Sequence, residues 1–188
     1  MNRIALKRIA LVLALSAVIG AAQAGDGAPD LSKVNGSLVA EAGRTYGNID
    51  TVNGSITVQA KAVARNVETV NGSIKLLWLN VGGGVKTVNG NITVGDGSVV
   101  GGNITVKKPS NWGMSWGKPK VPRIVLGPNS TVKGNLVFER EVELYVHSTA
   151  KYGKIIYMVS HSSTLEAGAS NAEALKPVVF TGKEPDFK

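Results

Sequence analysis

Cysteine is absent from the 188 residues. That excludes disulfides, thiolate metal sites, a cysteine nucleophile and lipid attachment through a cysteine, so packing alone must hold the fold together. Aromatic residues make up only 5% of the chain, which leaves Val, Ile, Leu and Ala to build the interior. Histidine occurs twice, as His147 and His161. Neither has the carboxylate and nucleophile spacing from which a triad could be argued, and His147, just past a strand-like VELYV, is expected to face solvent. Gly95-Asp96-Gly97 offers one carboxylate, far short of the oxygen cage that calcium needs. No catalytic residue, cofactor or metal ligand is therefore assigned, and the chain reads as a non-enzyme.

Long hydrophobic runs are also missing. The longest, Ile9 to Ile19, falls short of the ~20 residues that a spanning helix requires. Arg3, Lys7 and Arg8 precede it and Ala22-Gln23-Ala24 follows it, the layout of a secretory signal over residues 1–24. Export to the periplasm or the extracellular space is the expectation, with Gly25 as the first mature residue. Acidic residues are the scarcer sign, 13 against 21 Lys and Arg, for a net charge of +8. Without the three cations of the leader the balance is 18 to 13, or +5, too mild to imply a nucleic-acid partner.

What is plentiful is glycine, 23 residues, and repetition. Val34-Asn35-Gly36-Ser37-Leu38, Val52-Asn53-Gly54-Ser55-Ile56, Val70-Asn71-Gly72-Ser73-Ile74 and Val88-Asn89-Gly90-Asn91-Ile92 recur every 18 residues. A hairpin at each Asn-Gly would give successive copies no reason to be identical. Stacked coils do give one, because each copy then lies over the last at ~4.8 Å. Apolar residues two apart, as in Ile56 and Val58, Ile74 and Leu76, Ile92 and Val94, Ile124 and Leu126, or Val142 and Leu144, have strand periodicity. At ~3.3 Å per residue, 18 residues trace a closed path of about 60 Å, a triangle of three short sides. The expected fold is an all-β, right-handed, three-sided parallel β-helix of about seven coils over residues 25–164, with a C-terminal cap or tail over 165–188.

Vertical files follow. Asn35, Asn53, Asn71 and Asn89 should form an amide ladder. Gly36, Gly54, Gly72 and Gly90 should supply positive φ at the corner. Val34, Val52, Val70 and Val88 should fill one corner of the core, and Thr51, Thr69 and Thr87 should form a file resumed by Thr131 and Thr149. Later copies are degenerate. Val100-Gly101-Gly102-Asn103-Ile104 comes early, Val132-Lys133-Gly134-Asn135-Leu136 comes late, and Ala150 to Ile155 restores the original interval. One shortened coil followed by one coil carrying an insertion accounts for them.

The pattern x-Val-x-Gly-[Asn/Ser]-[Ile/Leu] in STVKGNLVFEREVELYVHSTAKYGKI and TVNGNITV resembles the bactofilins, bacterial β-helix proteins that polymerise end to end. It is similar too to exported adhesin-like β-helix domains. The likeness runs from about Leu31 to Val159 and implies the three-sided coil.

The insertion, residues 107–123, breaks the repeat. Trp112, Met114 and Trp116 alternate there, and Gly97 to Phe138 holds no acid but has Lys107, Lys108, Lys118, Lys120, Arg123 and Lys133. Aromatic faces among cations could hold an anionic glycan, a lipid headgroup or an envelope protein. The competing reading lays the aromatics on the solenoid flank. The functional expectation is an exported, adhesin-like interaction module. The alternatives are a scaffold that self-assembles through its coil ends as a homo-oligomer and, behind both, a polysaccharide-active enzyme.

Overall fold

A computed structural model describes residues 27–109, 120–158 and 177–182. The leader, Trp112, Met114, Trp116, Lys118, His161 and most of the C-terminal segment lie outside the described residues.

The chain winds through three parallel sheets in turn. Sheet A contains β1 (Leu31–Asn35), β3 (Asn48–Asn53), β6 (Asn66–Asn71), β9 (Val85–Thr87), β12 (Ile104–Val106), β15 (Leu136–Phe138) and β17 (Ile155–Tyr157), in that spatial order. Sheet B contains β2 (Leu38–Ala40), β4 (Ile56–Val58), β7 (Ile74–Leu76), β10 (Ile92–Val94), β13 (Arg123–Leu126), β16 (Glu143–His147) and β18 (Val178–Phe180). Sheet C is made of β5 (Val63–Ala64), β8 (Asn80–Val81), β11 (Val99–Val100) and β14 (Thr131–Val132). This is the three-sided parallel β-helix expected, with about six turns rather than seven.

Register bears out the repeat: Leu38 pairs with Ile56, Ile56 with Ile74, and Ile74 with Ile92. Ile92 then pairs with Ile124, so the whole insertion is accommodated between two adjacent rungs of sheet B. The expected shortened coil before Val100 is absent. Ile104 pairs with Val85 one rung below on sheet A, and Val100 with Val81 on sheet C. The Val100 and Val132 copies therefore sit at the corner from C to A, whereas the four Asn-Gly copies turn from A to B. Similar strings mark two different corners because both must pass a tight bend into a buried Ile or Leu.

The core is a stack of aliphatic layers. Ile49, Ile56, Ile74, Ile92, Ile104, Ile124, Leu136 and Phe138 have no more than 1% of their surface exposed, each burial being worth roughly 1.5–3 kcal/mol. The Val file is not part of it. Val34 is 66% exposed, Val52 40%, and Val70 and Val88 are half-buried. Strand alternation is the reason: Ile49, Val67 and Val85 point inward, so Thr51, Thr69 and Thr87 two residues later do too, and the valines that follow point out. Threonine suits this inward place because corner carbonyls turn toward it. Thr51 Oγ1 donates to the Gly36 carbonyl at 3.2 Å and Thr69 Oγ1 to that of Gly54 at 2.9 Å, whereas the buried Thr87 hydroxyl has no partner. The file continues as Val106 and Phe138. Thr131 lies instead in sheet C and Thr149 just beyond β16.

Candidate functional site

The A-to-B corner carries the amide ladder. Asn53 Nδ2 donates to Asn35 Oδ1 at 3.0 Å, Asn71 to Asn53 at 2.8 Å, and Asn89 to Asn71 at 3.0 Å. Of its glycines only Gly36 has a positive φ, 107°. Gly54, Gly72 and Gly90 are required by close approach instead: a Cβ on any of them would collide with the carbonyl oxygen of the glycine one coil below. A second ladder, which the sequence reading does not foresee, runs up the C-to-A corner. Asn66 Nδ2 donates to Asn48 Oδ1 at 3.0 Å, and the side-chain oxygens of Asp30, Asn66, Asn103 and Asn135 accept the amides of Asn48, Gly84, Asn135 and Lys154.

The insertion replaces the next A-to-B corner, and the coil above holds both of its roots. Glu139 pairs with Lys107 Nζ at 2.8 Å and accepts the Lys108 amide at 3.3 Å. The Lys107 hydrogen bond, against some burial and with help from the Lys108 amide, holds the Glu139 carboxyl below its ordinary 4.5. Arg140 donates to Asn89 Oδ1 at 2.8 Å, to the Val88 carbonyl at 3.1 Å and to the Lys120 carbonyl at 3.0 Å. It thereby closes the open end of the ladder and pins the second root. Burial lowers its pKa, with Glu141 opposing, but a guanidinium remains the charged donor. Glu143 pairs with Arg123 at 3.1 Å, whose guanidinium carbon lies 6.0 Å from the Tyr145 ring centroid.

Four of the eight proposed contact residues are thus located. Lys107, Lys108, Lys120 and Arg123 come together at this corner, with Lys107 and Arg123 neutralised by acids from the following coil. The acid-free stretch in the sequence is no guide to local charge, because stacking sets Glu139 and Glu143 of the next rung beside it. Trp112, Met114, Trp116 and Lys118 lie outside the described residues.

Another aromatic escapes the sequence reading. Trp78 is 62% exposed with φ at 52°, at the B-to-C bend where Gly43, Lys61, Gly97 and Asn129 also have positive φ. A repeated left-handed position usually filled by Gly or Asn is the signal that marks it. His147, expected in water, is only 8% exposed, covered by β18.

Outside sheet A a groove of about 760 Å³ crosses β3, β6, β9 and β12. Its floor is the outward column Asp50, Glu68, Lys86 and Thr105. Ser32 donates to Asp50 at 2.9 Å, and Lys86 pairs with Glu68 at 2.7 Å. Neighbouring strands therefore already satisfy these groups. Asp96 accepts from Asn129 Nδ2 at 3.2 Å, and among the described residues no cluster of His, Asp and Glu could hold a metal.

Most of the large exposed hydrophobics among the described residues lie on the terminal coils. Val34 and Val39 are exposed on the first coil, and Ile156, Met158, Val178 and Val179 on the last. β1 and β17 are the outer strands of sheet A, and β2 and β18 those of sheet B.

No protein-family model matches the chain, and comparison with curated proteins and with solved structures gives no significant match.

Proposed function

We propose that this chain is an exported, non-catalytic β-solenoid whose work is contact, and that its first partner is a second copy stacked on its end. The observation carrying this reading is where the apolar surface lies. Among the described residues, six of the nine large exposed hydrophobics, Val34, Val39, Ile156, Met158, Val178 and Val179, sit on the terminal coils beside outer strands. An outer strand offers unpaired N–H and C=O groups. Here β17 runs parallel to its sheet, as does β1, so a copy above would continue the same ladder. Such a head-to-tail contact does not close on itself and leads to filaments. The resemblance to bactofilins agrees with this reading.

Sedimentation velocity and electron microscopy of protein lacking residues 1–24 test it. Filaments should lengthen with concentration, and Val34→Lys or Ile156→Lys should each abolish them. A single monomeric species at every concentration would refute end stacking.

A second reading, adhesin-like contact through residues 107–123, is favoured by the clamp on both roots. On this reading Trp112, Met114 and Trp116 recognise an anionic glycan or lipid headgroup. Replacing both tryptophans by Ala should remove binding to anionic vesicles or to a sulfated glycan. Undiminished binding would dismiss the loop.

A further inference from the structure

Among the described residues, β18 is a short and little-covered outer strand. It has three residues, Val178 and Val179 are more than half exposed, and only β16 borders it. It pairs with Tyr145, Val146 and His147 of β16, and the His147 side chain adds to that ladder. Phe180 packs edge-on against the imidazole, with centroids 5.2 Å apart and planes at 83°. Ser148 N–H donates to the Phe180 carbonyl at 2.9 Å, and Gly182 N–H donates to His147 Nε2 at 3.2 Å. On the other side, Nδ1 lies 2.9 Å from Thr149 Oγ1 and the Thr149 N–H donates to it at 3.2 Å. Thr149 Oγ1 itself accepts the Asn129 amide at 2.8 Å.

A neutral imidazole has one N–H and one lone pair. Two backbone N–H groups, those of Thr149 and Gly182, point at a ring with one lone pair; with the proton on Nδ1 the ring donates to Thr149 Oγ1 and accepts from Gly182, leaving the Thr149 N–H without that acceptor. An imidazolium has no lone pair, so its Nε2–H would point at the Gly182 N–H. The ring's own polar partners, Thr149 and Gly182, are neutral and provide no carboxylate to reward the charge. Among the described residues, the nearby charged or titratable groups lie elsewhere. Glu143 and Tyr145 are on β16, with Arg123 of β13 on Glu143; Asp96 is on Asn129. The residues that β18 contributes, Val178 to Phe180, do not titrate.

We infer that β18 is a displaceable strand latched over the terminal edge of sheet B by neutral His147, and that protonating this imidazole releases it. Released, the strand takes Val178 and Val179 off the stacking surface and leaves β16 as the outer strand of sheet B, so that stacking on this end should weaken. That consequence rests on the end-stacking reading; the latch does not.

The test uses amide hydrogen-exchange protection factors, which correct for the intrinsic effect of pH, at pH 7.5 and pH 5, the range over which histidines change charge. Protection at Ser148 and Gly182 should fall about tenfold or more on acidification, the scale of one lost hydrogen bond, while β10 and β13 stay protected. His147→Gln, whose amide oxygen can accept from Gly182 without titrating, should hold the strand at both pH values. His147→Ala should loosen it at both. Unchanged wild-type protection at pH 5, or the same acid response in His147→Gln, would overturn the latch. Sedimentation of the same samples separates the two claims: release with weaker association supports a share of β18 in the stacking surface, and release without it overturns that consequence alone.

Discussion

At the scale of single residues, the repeat is explained by contacts between coils. Gly72 sits under Gly90 and over Gly54 with no room for a methyl group. Gly72→Ala must push stacked backbones apart, so it should cost several kcal/mol, at or above the usual range of about 1–3 kcal/mol for overpacking. Gly36→Ala has open space and only the strain of positive φ, roughly 1–3 kcal/mol. Urea denaturation midpoints should rank the two in that order. Val70 and Ile74, on either side of one bend, make a second comparison. Val70 is half-buried on the outer face, whereas Ile74 is 1% exposed. Val70→Asp should cost about 1 kcal/mol or less. Ile74→Asp would bury an unpaired carboxylate and should cost several kcal/mol or prevent folding. Equal melting temperatures for these two variants would contradict the assigned faces.

Among elements, the bend that follows β15 does the most. Its Glu139 and Arg140, with Glu143 at the start of β16, hold the roots of the insertion and finish the asparagine ladder. Arg140→Met removes three charge-assisted hydrogen bonds, two of them to backbone carbonyls. It should cost about 2 kcal/mol and speed protease cleavage between 107 and 123, with β4 and β7 unaffected. A cleavage rate equal to that of wild type would show that the insertion is held some other way. Much of this level was legible in the sequence. Identical Asn-Gly strings at a fixed spacing demand in-register stacking, and the two-residue apolar alternation located β4, β7, β10 and β13. The valines misled because hydrophobicity alone does not tell which residue beside a bend faces in; the alternation set by Ile49 and Val67 does. His147 misled because its cover, β18, comes from much later in the sequence. Val100 and Val132 misled, as apparent copies of the Asn-Gly corner, because corners made by the same physics use similar residues. Arg140 could not be singled out, since its partners Asn89 and Lys120 meet only once coils are stacked.

For the molecule as a whole, stability accumulates from coil to coil, because one coil alone buries few side chains. Cysteine is unnecessary in such a design, and its absence makes the central claim directly measurable. Cysteines placed at Asn53 and Asn71, labelled with pyrene at concentrations low enough to exclude intermolecular contact, report whether successive copies of the repeat lie one rung apart, ~4.8 Å. Stacked parallel coils predict strong intrachain excimer emission from the doubly labelled protein and none from either single label; pyrene monomer emission alone from the folded, doubly labelled chain would contradict it.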